Sequence, residues 1–374
     1  MATFDVIVLG GGIIGCALAE ELARRGRRVA VVERGYVGAE ASSAAAGILA
    51  SQMDVPRPGP FFDLCQAARR MYPSWVARLE RGLGRSVGFQ VDGSLFLVDT
   101  ARGEAVMARQ ARWQRARGLR VERWSPAQVR RQEPVVDGRF RCGWFFPAEA
   151  QIDNVALMAA LAHVCRAAGV SLREQTVVRR LRIRPGRVRG VETDAGPLTA
   201  PVVVNCLGSW AELGGAFPVR LPVEPARGQI LVFQAPKRLV RRAVLSPHAY
   251  LVQRRDGRLL VGSTIERVGF EKALTLAGMA GILNGVRRMT SVVDHSPLLD
   301  AWAGFRPQTP DHQPILGETP VEGLYVATGH FRHGILLAPV TACLMTDLIV
   351  TGRSAFDLSP FAATRFQPVT LAPR

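Results

Sequence analysis

The hydrophobic pattern changes period within the first thirty residues. Residues 4–9 (FDVIVL) form an apolar, β-rich run, and three glycines follow it. Ile14, Leu18 and Leu22 then recur at the helical period. After the turn Arg25-Gly26-Arg27 a second apolar run, 29–32, ends on Glu33. The prediction is strand, glycine turn, helix, strand, acid. Further along, SPAQVRRQEP (125–134) predicts a short helix with Ser125 as N-cap and Pro126 at its first position. Residues 155–168 predict another helix. PVVVNCLGSWA (201–211) and GLYVATG (323–329) are continuous apolar strands of the kind a parallel sheet covered on both faces needs, the first ending at Gly208. In contrast, QVDGSLFLV (90–98) alternates, AYLVQRRDGRLLVGST (249–264) predicts a hairpin turning at Asp256-Gly257, and GQILVF (228–233) and 301–305 predict further strands. A helix over 334–351 closes the series.

Parallel and alternating strands in one chain imply two sheets with different surroundings. The expected fold is α/β: a Rossmann-like parallel-sheet domain that binds a dinucleotide, and a second, mostly antiparallel β-sheet domain. The first is discontinuous, over 1–80, 141–215 and 306–366. The second takes 81–140 and 216–305, and 367–374 is a tail. A chain of 374 residues is of a length for two domains.

Composition narrows the class without changing this picture. Hydrophobic residues make up 48% and charged residues 21%, as in an ordinary globular protein. The formal charge of +17 raises nucleic acid or an anionic membrane as partners. However, the basic residues are spread along the chain and are arginine except for Lys237 and Lys272, so neither partner is expected. The six cysteines are scattered with no metal-ligand spacing, which fits a reducing cytoplasm and no metal. The apolar run 335–350 is too short for a membrane span and carries Thr341, Thr346 and Asp347.

The chemistry starts at the glycines. Gly10, Gly12 and Gly15 fill the three slots of GxGxxG between strand and helix. Gly10 allows the tight turn, Gly12 lets backbone N–H groups approach a pyrophosphate, and Gly15 lets helix and strand pack closely. Glu33, 23 residues beyond Gly10, is spaced to accept ribose hydroxyls. The small residues of SSAAAGILA (42–50) let backbone lie against a flat ring, and Ser42 and Ser43 can donate to phosphate. Such a loop soon after the acid favours FAD over a simple NAD site.

Together VIVLGGGIIG, VVERG and SSAAAGILA resemble the D-amino-acid oxidase superfamily of FAD flavoproteins, with the glycine oxidases of the thiamine pathway as the nearest likeness. The resemblance runs from Phe4 to about Phe366. It implies oxidation of glycine, a small amine or a small D-amino acid by hydride transfer from Cα to flavin N5, with oxygen as oxidant and a role in thiamine thiazole synthesis. It also implies a flavin held by Ile13, Ile14, Arg34, Ala46, Gly47, Ile48, Val178, Gly208 and the turn Gly329, His330, Phe331, Arg332, His333, Gly334 and Ile335, besides the motif residues. No cysteine lies between Cys206 and Cys343, so the FAD is expected to be non-covalent.

Four residues are expected at the substrate. Arg306 sits between an apolar strand and Pro307; a planar guanidinium suits a carboxylate, although sequence alone leaves a surface arginine equally open. The resemblance places it on the substrate carboxylate. Tyr250 is expected above the flavin, with His248 on the same face of the sheet. Arg332 is expected beside substrate and flavin, in an electrostatic role. Ile265 and Ala50 stand where the family member compared has methionine and glycine. Two alternatives remain: a D-amino-acid dehydrogenase passing electrons to a quinone, and an RNA-modifying domain of the same fold. The oligomeric state is left open.

Overall fold

Each continuous apolar run becomes a strand covered on both faces. In the computed structural model, which describes residues 2–213, 217–235 and 238–366, a six-stranded sheet runs Ile315–Glu318, Leu324–Thr328, Val202–Asn205, Val6–Leu9, Val29–Val32, Ser171–Arg173. All neighbours are parallel except Ile315–Glu318 with Leu324–Thr328. Val6, Val8, Val29, Val31 and Val204 pack against the helices Ile13–Arg24, Pro60–Leu83, Asn154–Ala167 and Gly334–Thr351. Ile7, Leu9, Ala30, Val32 and Val203 face a four-stranded sheet of Ala2–Thr3, Gly196–Thr199, Arg187–Thr193 and Val178–Arg184 through Val188, Val191 and Leu198. Two buried faces explain why these strands show no alternation.

The short helix Pro126–Gln132 forms as expected. Ser125 Oγ accepts from Gln128 N–H while the Gln128 side chain accepts from Ser125 N–H, a reciprocal cap at both ends of the first turn. The segment Phe331–Thr351, which contains the helix Gly334–Thr351, is long and apolar enough to cross a membrane by length and composition. It instead packs in the core against the helices Ile13–Arg24 and Pro60–Leu83.

An eight-stranded sheet forms the second layer, in the order Leu298–Gln308, Glu224–Gln234, Arg258–Gly262, Tyr250–Gln253, Ala243–Leu245, Ser94–Val98, Cys142–Phe146, Glu122–Trp124. It is antiparallel apart from the pairing of Ala243–Leu245 with Ser94–Val98. Its membership departs from two expected boundaries. Cys142–Phe146, expected in the cofactor half, is a strand of this sheet, and Leu298–Gln308 runs through the division at 305/306. Period reveals a strand but not which sheet it joins, and both segments lead the chain from one sheet to the other. The expected tail, 367–374, lies outside the described residues.

Candidate active site

A cavity of about 580 Å³ runs from the glycine turn to the inner face of the eight-stranded sheet. At one end the chain leaves Val6–Leu9, turns through Gly10 at φ +100°, and starts the helix Ile13–Arg24 with Gly12 as N-cap. A Cβ on Gly15 would lie 2.0 Å from Gly10 O, so helix and strand could not approach as they do. Ile13 N–H donates to Ser42 Oγ (2.9 Å), which ties the small-residue loop to the helix start. Each Glu33 oxygen accepts one backbone N–H, from Gly11 and Gly35, both at 2.8 Å. A carboxylate oxygen has a second lone pair, so both oxygens retain capacity for hydroxyl donors. Arg34 lies 3.8 Å over the Trp210 ring and pairs with Glu40 (3.1 Å).

Most of the expected cofactor residues line this cavity: Gly10, Gly12, Ile13, Ile14, Glu33, Arg34, Ser42, Ala46, Gly47, Ile48, Val178, Gly208, His330, Phe331, Arg332, His333, Gly334 and Ile335. Gly15, Ser43 and Gly329 do not. Gly15 acts through packing, and the backbone carbonyl of Ser43, like that of Ser42, accepts from Asn154 Nδ2, behind the loop. Asn154 Oδ1 in turn accepts from the buried Arg254, whose guanidinium also donates to Ala46 O (3.0 Å) and Ile152 O (2.6 Å). No motif pointed to this support.

At the other end Arg306 enters from the strand Leu298–Gln308. Its Nη2–H donates to Ser263 Oγ (2.7 Å) and its Nη1–H to Thr264 O (3.1 Å). No carboxylate lies within ion-pair distance of it among the described residues. Burial disfavours its charged form, and a Cβ on Gly228 would lie 2.2 Å from Nη1, so glycine makes its space. Tyr250 stands beside Ser263, and burial raises its pKa, which keeps the hydroxyl a donor. Ala50 and Ile265 line the same cavity.

Two expected residues sit differently from expectation. His248 lines the cavity at its rim, but Nε2 is 2.8 Å from Asp99 Oδ2 and 3.3 Å from Arg288 Nη1, so its ring is held by surface charges. Arg332 lines the cavity too, yet its side chain is 43% exposed and donates to Asp54 Oδ1 at 2.5 Å. Its charge is therefore offset. Asp54 was missed by sequence reading because a single acid in a Pro-containing loop carries no pattern. In the turn after Leu324–Thr328, Phe331 takes the left-handed φ of +47° and stacks on His312 (4.9 Å). His330 turns inward to Thr341 Oγ1 (3.2 Å), and burial drives its pKa down to about 3.

The comparisons with known proteins agree with this geometry. The model of the FAD dependent oxidoreductase family matches residues 5–348. The chain belongs to that family. FAD is accordingly its cofactor, and the cradle fits it: a glycine turn a Cβ would close, a helix N-terminus at the cavity wall and an acid with spare acceptors. Cys206 is the cysteine lining the cavity among the described residues, and burial pushes its thiol pKa up, away from reactivity. The chain is similar to a bifunctional ThiO/ThiG protein of Synechocystis sp., 37% identical over 99% of this chain and 55% of that protein. It thus spans about half the length of the bifunctional relatives it matches. It is also similar to a glycine oxidase of Geobacillus kaustophilus, 34% identical over 97% of each chain. The crystal structure of glycine oxidase from that organism superposes with a TM-score of 0.94, at 33% identity, over 98% of this chain and 99% of the other.

Proposed function

We propose that this protein oxidises glycine, a small N-alkyl glycine or a small D-amino acid at its α-carbon. The observation that carries the reading is Arg306: a guanidinium without an ion-pair partner among the described residues, in the FAD cavity, with the Tyr250 hydroxyl beside it. Bound FAD supplies a two-electron acceptor. Arg306 has five N–H groups and uses two on Ser263 and Thr264, so three remain for a carboxylate. Tyr250 O–H donates to the same carboxylate. Asp54 is committed to Arg332, Tyr250 stays protonated, and burial disfavours the protonated form that His333 would take on accepting a proton. The substrate amine therefore sheds its proton to solvent before oxidation. Ala50 and Ile265 bound the space for the side chain. The likeness to glycine oxidases along both full lengths supports the substrate class, and a role in thiamine thiazole synthesis and a cytoplasmic location belong to the same reading.

With oxygen as acceptor, glycine, oxygen and water yield glyoxylate, ammonia and hydrogen peroxide. The test is stoichiometry: one peroxide and one glyoxylate per glycine consumed in air. A second reading, a dehydrogenase passing electrons to a quinone, is favoured by one observation. Ile265, Val268, Phe270, Leu274 and Leu276 form a run of exposed apolar side chains next to the cavity wall. Glyoxylate without peroxide, and only when a quinone is added, would establish it.

A further inference from the structure

The substrate end of the cavity holds two arginines, and they differ in one respect. Among the described residues Arg306 has no carboxylate partner, whereas Arg332 is occupied by Asp54 Oδ1 at 2.5 Å. Both face the same cavity, and Arg332 and Asp54 are close enough to act electrostatically on Arg306. The remaining cavity arginine, Arg34, is paired with Glu40. The described lining thus leaves one uncompensated guanidinium. We propose that Asp54 makes the site selective for monocarboxylates, its own carboxylate standing on Arg332 where a second acid group of a ligand would otherwise bind.

The turn carrying Asp54 is built to hold it there. Glu149 Oε1 accepts from Gln52 N–H (2.9 Å) and Met53 N–H (2.7 Å). Gln110 Nε2 donates to the carbonyls of Gln52, Met53 and Val55, and Gln114 Nε2 donates to Gln52 O. Glu149, Gln110, Gln114 and Gln52 are all buried, so these hydrogen bonds, made out of contact with water, fix a turn whose tip reaches the cavity. His333 gives a second sign that this corner is made for a polar group. Its side chain is 6% exposed and neither ring nitrogen has a hydrogen-bond partner among the described residues, while Nε2 lies 3.5 Å from Asp54 Oδ2. A buried, unpaired imidazole beside an arginine–carboxylate pair is a place where an acid group would find a further donor.

This inference rests on the carboxylate-binding role of Arg306, and its test uses binding alone, so that it can fail separately from the oxidation chemistry. Acetate and malonate differ by one carboxylate and are not oxidised. Their affinities for the FAD-loaded enzyme are read from the perturbation of the flavin spectrum. The wild type is expected to bind malonate no more tightly than acetate. In Asp54→Asn the malonate-to-acetate affinity ratio should rise about tenfold or more, the worth of one charge-assisted contact. Asp54→Glu, which keeps the charge, should return the ratio towards wild type, and the gain should vanish in Asp54→Asn/Arg332→Gln. Wild-type enzyme binding malonate tenfold tighter than acetate overturns the proposal, whatever the variants do. So does an unchanged ratio in Asp54→Asn, or a gain that persists without Arg332.

Discussion

Replacing Arg306 by methionine should weaken binding and leave stability close to that of the wild type. Arg306 is held by two hydrogen bonds, to Ser263 Oγ and Thr264 O, and has no carboxylate within ion-pair distance among the described residues. Both are made by a charged group, so losing them costs about 1.5–3 kcal/mol each. Against this stands the desolvation of a guanidinium in a site where burial disfavours its charge, a penalty of several kcal/mol in buried settings. Methionine has a similar length and no charge to desolvate, so the two effects offset each other and Arg306→Met should unfold close to the wild-type temperature. Substrate binding should suffer instead. A charged hydrogen bond contributes about 1.5–3 kcal/mol, so the apparent dissociation constant for glycine should rise about 10- to 150-fold, and further if both prongs of the fork are used. The assay is rapid-reaction flavin reduction against glycine and against a small amine without a carboxylate, beside thermal unfolding of the FAD-loaded protein. The carboxylate-free amine should lose little. Equal losses for both amines, or a variant that is several kcal/mol less stable, would refute the assignment.

Three further expectations are independent of that one. Gly15→Ala places a Cβ 2.0 Å from Gly10 O and should yield protein without flavin, whereas the Cβ of Gly12→Ala meets only Ser42 Oγ at 3.3 Å within the protein but stands where the pyrophosphate approaches, so this variant should fold and bind flavin more weakly; the ratio of visible to ultraviolet absorbance, with and without added FAD, separates them. His330 has a folded pKa of about 3 against 6.5 ordinarily, so its contribution is present above pH 6.5 and lost as pH falls towards 3. Between pH 6.5 and 5 the wild type should lose about 2 kcal/mol more stability than His330→Gln, measured by denaturant unfolding. Turnover should rise from pH 7 towards 9 as more of the substrate amine becomes neutral; a flat profile would place a proton acceptor within the protein.

The parts of the fold that could be read in advance are those whose physics is local. The strand–glycine–helix–strand–acid unit is specified by side chains within thirty residues, and the cap at Ser125 within four. Apolar runs at 202–205 and 324–328 are legible because a strand covered on both faces has no freedom to be polar. The sheet to which Cys142–Phe146 belongs depends on partners at 94–98 and 122–124, which no local pattern specifies. The site divides in the same way. Arg306 stands out as an arginine bounded by an apolar strand and a proline. Asp54 reaches Arg332 across 278 positions of chain and is held by Glu149, Gln110 and Gln114, so only the folded molecule brings them together. That pairing also changes the meaning of Arg332, from a free positive charge to one half of an ion pair.

The central claim is that the FAD of this protein accepts electrons from a small amino acid held by Arg306. Its most direct test is to mix the FAD-loaded protein with glycine or sarcosine without oxygen and to watch the flavin's visible absorption. The account predicts that the yellow colour bleaches, and that admitting air restores it. A flavin that stays oxidised with glycine, sarcosine and D-alanine alike would contradict it.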